Sequence, residues 1–148
     1  MHGFVRDVIA EKGNGVFLIG PTASVHEAVH LMNSHGVGAL VVAERAQMAG
    51  ILSERDILRR VIGARCEPDH TRVRDVMTRE VITVGLETPI TEAMETVTNR
   101  RVRHLPVVGS GGELAGIVSI GDLMRWAMLH QQSEIDRMAG YVTGRDLG

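Results

Sequence analysis

One pattern occurs twice in this chain, and any fold must accommodate both copies. Gly50-Ile51-Leu52-Ser53-Glu54-Arg55-Asp56-Ile57 returns as Gly116-Ile117-Val118-Ser119-Ile120-Gly121-Asp122-Leu123, displaced by 66 residues. Each copy reads Gly, two aliphatics, Ser, two variable residues, Asp and an aliphatic. A fixed internal period of this kind means one structural unit built twice. The aliphatic pair predicts the end of a buried strand, and the residues after Asp predict a helix. Ser then stands at the strand-to-helix junction with Asp in the first turn. Ser-x-x-Asp suits a capping box, in which the Ser oxygen and the acid satisfy early helical N–H groups. The acid also suits the positive end of the helix dipole. Capping accounts for a single copy; recurrence in register points to a further role for the carboxylates.

The rest of the chain keeps the same period. Val5-Arg6-Asp7-Val8-Ile9 returns as Val73-Arg74-Asp75-Val76-Met77, and each pentad is expected to open its repeat. Val16 to Ile19 and Val81 to Val84 predict short strands. Val25, Ala28, Val29 and Met32 then follow helical spacing, as do Ile90, Ala93, Met94 and Val97. Ser24 with Glu27 forms a capping pair for the first of these helices. Thr88 is the expected cap of the second, with Pro89 in its first turn. Second strands are expected over Val37 to Ala43 and Val102 to Val108. The motif strands follow, then helices carrying Ile57, Leu58, Val61 and Ile62, and Leu123, Met124, Ala127 and Met128. Each repeat is therefore strand, helix, strand, strand, helix. The expected boundaries are 1–66 for the first repeat, 67–131 for the second, and 132–148 for a helix extension with Ile135 and Met138 and a glycine-containing tail.

Composition closes off several functions. With 44% hydrophobic but only 3% aromatic residues, the core must be aliphatic and rich in Met. A net charge of −2 gives no footprint for nucleic acid. The longest apolar run is too short to span a membrane, and the start lacks the long apolar segment of a secretory signal. A cytoplasmic protein is the expectation. Cys66, the single cysteine, excludes an internal disulfide framework and a multi-Cys zinc site.

One stretch offers an enzymatic alternative. His26-Glu27-Ala28-Val29-His30 matches the H-E-x-x-H signature, in which two His on one helix face bind zinc beside a Glu base. Against a zinc metallopeptidase, Val25, Ala28, Val29 and Met32 claim the buried face. The matching stretch Thr91-Glu92-Ala93-Met94-Glu95 carries no His. Neither a phosphate-binding glycine loop nor a nucleophile dyad is evident.

The paired Gly-aliphatic-aliphatic-Ser-x-x-Asp signature on tandem β-α-β-β-α units resembles a CBS domain pair, or Bateman module. The resemblance runs from about Val5 to Leu129 and includes Val102-Arg103-His104-Leu105-Pro106-Val107-Val108. It implies an α+β fold with pseudo-twofold symmetry, in which two small sheets pack together with flanking helices. It also implies a stand-alone, non-enzymatic regulator, of the energy-sensing kind, that binds an adenosyl ligand in clefts between the repeats. AMP heads the expected ligands, then ADP, ATP and NAD(H), with S-adenosylmethionine last; no catalytic cofactor or metal is implied.

By the same resemblance Asp122 and Asp56 accept the ribose hydroxyls, for which a carboxylate has enough acceptor sites. Ser119 and Ser53 contact ribose or phosphate. Ile117 and Ile51 flank the adenine, with strand residues near Thr83 and Leu18. Arg103 and His104 match phosphate-holding positions. The repeats diverge there, because Gly38 and Ala39 stand where Arg103 and His104 align. A homodimer is implied. A narrower similarity, to plant organellar CBS-pair proteins proposed to regulate thioredoxin systems, implies a thioredoxin-system partner. The remaining alternative is a protein-interaction module that binds no ligand.

Overall fold

The computed structural model describes residues 2–13 and 15–130. Ile135, Met138 and the tail expected over 132–148 lie outside the described residues. The chain divides into two compact units, one spanning 15–83 and the other joining residues up to 14 to those from 84 onward. These spatial units cut across the sequence repeats. Each takes its sheet and longer helices from one repeat and its opening pentad from the other.

In the 15–83 unit, β1 (Leu18–Ile19) runs parallel to β2 (Ala39–Glu44), and β2 pairs antiparallel with β3 (Gln47–Ser53). Between β1 and β2 lies α2 (Val25–His35). Its start and end follow the sequence. Ser24 Oγ accepts from Glu27 N–H at 3.0 Å. Gly36, at φ 63°, takes the left-handed turn that glycine adopts without steric cost, and its N–H donates to the Met32 carbonyl. Val25, Ala28 and Met32 face a core with Leu40, Val42, Leu52, Val61 and Val73. The β2–β3 turn places Arg45 and Ala46 at φ 51° and 64°, a region that favours glycine.

After β3, α3 (Glu54–Asp56) passes into a π-helical stretch, Ile57–Ile62. There Gly63 N–H reaches back five residues to the Leu58 carbonyl. The apolar residues of this stretch are unequally covered. Val61 is fully buried, whereas Leu58 and Ile62 are 64% and 57% exposed. The second pentad forms α4 (Val73–Val76) beside α2: Val25 N–H donates to Thr71 O, and Val73 N–H to Ala23 O.

The other unit repeats this plan. Its strands are β4 (Val84–Gly85), β5 (His104–Val108) and β6 (Leu114–Ser119), with β4 parallel to β5 and β5 antiparallel to β6. α5 (Ile90–Arg100) buries Ile90, Ala93 and Val97. Thr88 does not cap it. The Thr88 hydroxyl turns back to accept from Gly85 N–H at 2.9 Å, and Pro89 itself stands at the cap position. A helix over 120–130 follows β6 and buries Leu123, Trp126 and Ala127, leaving Met124 and Met128 exposed. The first pentad forms α1 (Val5–Lys12), tied by Val5 N–H to Thr88 O and Arg6 N–H to Leu86 O. Gly3 has no room for a Cβ, because Trp126 and Ile90 close over it. No described helix is long and apolar enough to cross a membrane.

Candidate functional site

Both strand-to-helix junctions build the expected capping box. At the first, Asp56 N–H donates to Ser53 Oγ at 3.2 Å and Ser53 N–H donates to Asp56 Oδ2 at 3.0 Å. At the second, Asp122 N–H donates to Ser119 Oγ at 3.0 Å and Ser119 N–H to Asp122 Oδ2 at 2.8 Å. The caps match, but the remaining acceptor capacity differs.

Asp56 is a buried carboxylate, 8% exposed. Besides Ser53 N–H it accepts the Ser53 hydroxyl on Oδ2 and the Thr78 hydroxyl on Oδ1, each at 3.1 Å. Asp122 is half-buried and meets a cation instead. Lys12, at the end of α1, donates from Nζ to Asp122 Oδ2 and to the Ile117 carbonyl, both at 2.7 Å. Burial pushes the Asp122 carboxyl up, but the Lys12 ammonium and the Ser119 donors outweigh it and hold it below its ordinary value. It is therefore ionised at neutral pH.

The sheet register brings further expected residues to the second junction. His104 lies directly across from Ser119, and Pro106 across from Ile117. The Arg103 carbonyl accepts from Ile120 N–H. In the other unit Ala39 lies across from Ser53, and the Gly38 carbonyl accepts from Glu54 N–H. Gly38 and Ala39 therefore occupy the places of Arg103 and His104, so the first junction lacks their basic side chains. Ile51 is buried and Ile117 half-buried. Leu18, 53% exposed, pairs with Val41 at the end of the first sheet. Its counterpart by register is Val84, paired with Val107. Thr83 stands one residue earlier, exposed, and belongs to the 15–83 unit.

Lys12 escaped the sequence reading. The pentads align Val5 with Val73, which sets Lys12 against Glu80 and Thr78 against Ala10, so periodicity gives neither residue a partner. Only the placement of each pentad against the other repeat's motif reveals them.

The H-E-x-x-H stretch takes a different arrangement from a zinc helix. His26, Glu27 and His30 are exposed, and His26 Nδ1 lies 3.7 Å from Asp69 Oδ1. Among the described residues no three His, Cys, Asp or Glu side chains come together to hold a metal ion. A groove of about 460 Å³ does lie nearby, lined by Val29, Met32, Gly36, Gly38, Ile57 and Leu58 among others, but not by Ser53 or Asp56.

Comparison with known proteins agrees with this geometry. The sequence pattern of the CBS domain family matches residues 5–63 and 73–129. The chain is 40% identical to the mitochondrial CBS domain-containing protein CBSX3 of Arabidopsis thaliana, over 95% of this chain and 72% of that protein. A crystal structure of a CBS-domain-containing protein from Agrobacterium tumefaciens is similar at 35% identity and a TM-score of 0.79, over 83% of this chain and 98% of that one. A CBS domain protein from Pyrobaculum aerophilum, complexed with AMP, is similar at 27% identity and a TM-score of 0.73, over 81% and 89% of the two chains.

Proposed function

The chain belongs to the CBS domain family, and on that premise we propose that it is a non-catalytic regulatory module binding an adenosyl ligand, AMP foremost, at its second motif. The observation that carries this reading is Asp122: an ionised, half-buried carboxylate at a strand-to-helix junction whose Ser119 lies across the sheet from His104, with Arg103 next to His104 in the chain. A carboxylate suits a cis-diol, an aliphatic wall such as Ile117 suits an uncharged base, and a basic pair suits phosphate. Ser119 adds a hydroxyl at the junction, across from His104. The AMP complex of the Pyrobaculum relative supports the ligand class.

The first motif is the weaker site in this reading. Asp56 already has Ser53 and Thr78 on both oxygens, and Gly38 and Ala39 supply no charge. Ser53, Ile51, Leu18 and Thr83 remain secondary ligand candidates. Parallel calorimetric titrations with AMP, ATP, NADH and S-adenosylmethionine test the proposal, with AMP expected tightest. Asp122→Asn should weaken AMP about tenfold, equivalent to about 1.4 kcal/mol. Full affinity in a folded Asp122→Asn protein would remove Asp122 from the site. No binding of any of the four by wild type would leave the interaction-module reading.

The exposed apolar residues Leu58, Ile62, Met124, Met128 and Leu129 favour self-association in either case. Each unit thus leaves apolar helix residues uncovered, and uncovered apolar area of this kind marks an interaction surface. We assign it to a homodimer.

A further inference from the structure

This inference deepens the adenosyl reading of the second motif and rests on it. Each motif is met by the opening segment of the other sequence repeat, but with different chemistry. In the 15–83 unit the closure is main chain: Ile51 N–H donates to Thr78 O at 3.0 Å, and Thr78 N–H to Ile51 O at 2.9 Å. The Thr78 hydroxyl then reaches Asp56. At the second motif one side chain meets the equivalent pair, with Lys12 Nζ bonded to both the Ile117 carbonyl and Asp122 Oδ2.

The difference decides which closure can open. Removing Thr78 from Ile51 means moving the backbone that leads out of α4. Removing Lys12 means rotating a flexible four-carbon stem, and its head gains water as it leaves. The two side chains are 29% and 28% exposed, so water already reaches the pair. Asp122 Oδ2 also accepts Ser119 N–H at 2.8 Å. Two donors fill the usual acceptor capacity of one carboxylate oxygen. A cis-diol that chelates both oxygens must take a place that Lys12 holds.

We propose that Lys12 is a ligand-displaced occupant of the second motif, competing with the ribose diol for Asp122 and rotating off when the diol binds. It therefore lowers affinity for any ligand that uses both hydroxyls, and it reports occupancy to α1. Glu11, the residue before it, is held separately by His130 at 2.7 Å. The last turn of α1 thus slackens without coming away.

Calorimetric titration of AMP and of 2′,3′-dideoxyadenosine monophosphate into wild type and Lys12→Met tests this. The second probe keeps base and phosphate and lacks the diol. Lys12→Met should bind AMP about three- to fivefold tighter, the scale of a half-exposed ion pair. The dideoxy probe should change by less than about twofold, since it never competes for the carboxylate. Hydrogen exchange in residues 5–12 should quicken when AMP saturates wild type, and should not respond in Lys12→Met. Unchanged or weaker AMP binding by Lys12→Met, with wild type still binding, overturns the competition and leaves the adenosyl reading standing. An equal gain for both probes also overturns it, because the effect is then steric. Absence of AMP binding by both proteins refutes the adenosyl reading itself, and the role of Lys12 with it.

Discussion

Removing each motif carboxylate should separate the two sites by stability. Asp56→Ala deletes the acceptor for three donors: Ser53 N–H, the Ser53 hydroxyl and the Thr78 hydroxyl, at 3.0, 3.1 and 3.1 Å. The lost capping arm costs about 0.5–2 kcal/mol. Each buried hydrogen bond to an ionised group contributes about 1.5–3 kcal/mol, and the hydroxyls recover part of this by rebonding to nearby water. The loss should come to roughly 2–4 kcal/mol for Asp56→Ala. Asp122→Ala loses a similar cap, but its second partner is Lys12 in a half-exposed pair worth only about 0–1 kcal/mol. Its total should be about 1–2 kcal/mol. In urea, with a slope of about 2 kcal/mol per molar, the midpoints should fall by roughly 1–2 M and 0.5–1 M. Ligand binding should rank the variants in the reverse order, with AMP affinity lost in the Asp122 variant. An Asp122→Ala midpoint as low as that of Asp56→Ala would refute the claim that Asp56 is the structural carboxylate of the two.

Three further outcomes follow from the same geometry. A Cβ on Gly50 would stand 2.6 Å from the Thr78 carbonyl oxygen, whereas one on Gly116 would meet the flexible end of Ile9 at 2.7 Å. Gly50→Ala should therefore cost about 1–3 kcal/mol and Gly116→Ala less than about 1 kcal/mol, and equal thermal shifts would contradict this. Because the folded Asp122 carboxyl is lowered, its contribution to stability is present above the ordinary carboxylate value and is lost as pH falls through the lowered one. The stability gap between wild type and Lys12→Met should accordingly be widest near neutrality and close in acid; a pH-independent gap measured by urea melts would count against the ion pair. Light scattering should give a dimer mass for wild type and a monomer for Leu58→Glu combined with Met128→Glu, and a monomeric wild type at tens of micromolar would dismiss the apolar faces as an interface.

What the sequence disclosed was whatever short-range pattern controls. The stripe Val25, Ala28, Met32 and the cap Ser24 lie within one helix, so their spacing alone located α2 and its buried face. The motif junctions were legible because Ser and Asp are only three residues apart. After Asp56 the buried residue is Val61 while Leu58 and Ile62 face outward, as do Met124 and Met128 at the same 66-residue offset, so apolar spacing located the helices but not which of their apolar residues are covered. Trp126 stands three residues after Leu123 and beside Ala127, so helical spacing puts it on the same buried face, and the sequence reading passed over it. It is buried against Gly3 from the far end of the chain. That pairing is non-local, and no spacing rule reaches it.

The same non-locality explains why the motif has its particular form. Its Gly and its Asp stand six positions apart in both copies. At the first copy Gly50 lies under Met77 and Thr78, and Asp56 binds Thr78. At the second, Gly116 lies under Ile9, and Asp122 binds Lys12. In each unit the opening segment of the other repeat crosses the motif strand at the Gly, where a side chain would obstruct it, and reaches the Asp beyond. The two residues are thus joint requirements of one crossing, and this alone calls for both copies. What the crossing leaves free is the residue that arrives at the carboxylate. A neutral hydroxyl on a backbone-paired segment closes the first copy; a cation on a flexible stem closes the second. One scaffold repeated twice thereby holds a fixed carboxylate and an exchangeable one, and exchange is the property a ligand sensor needs.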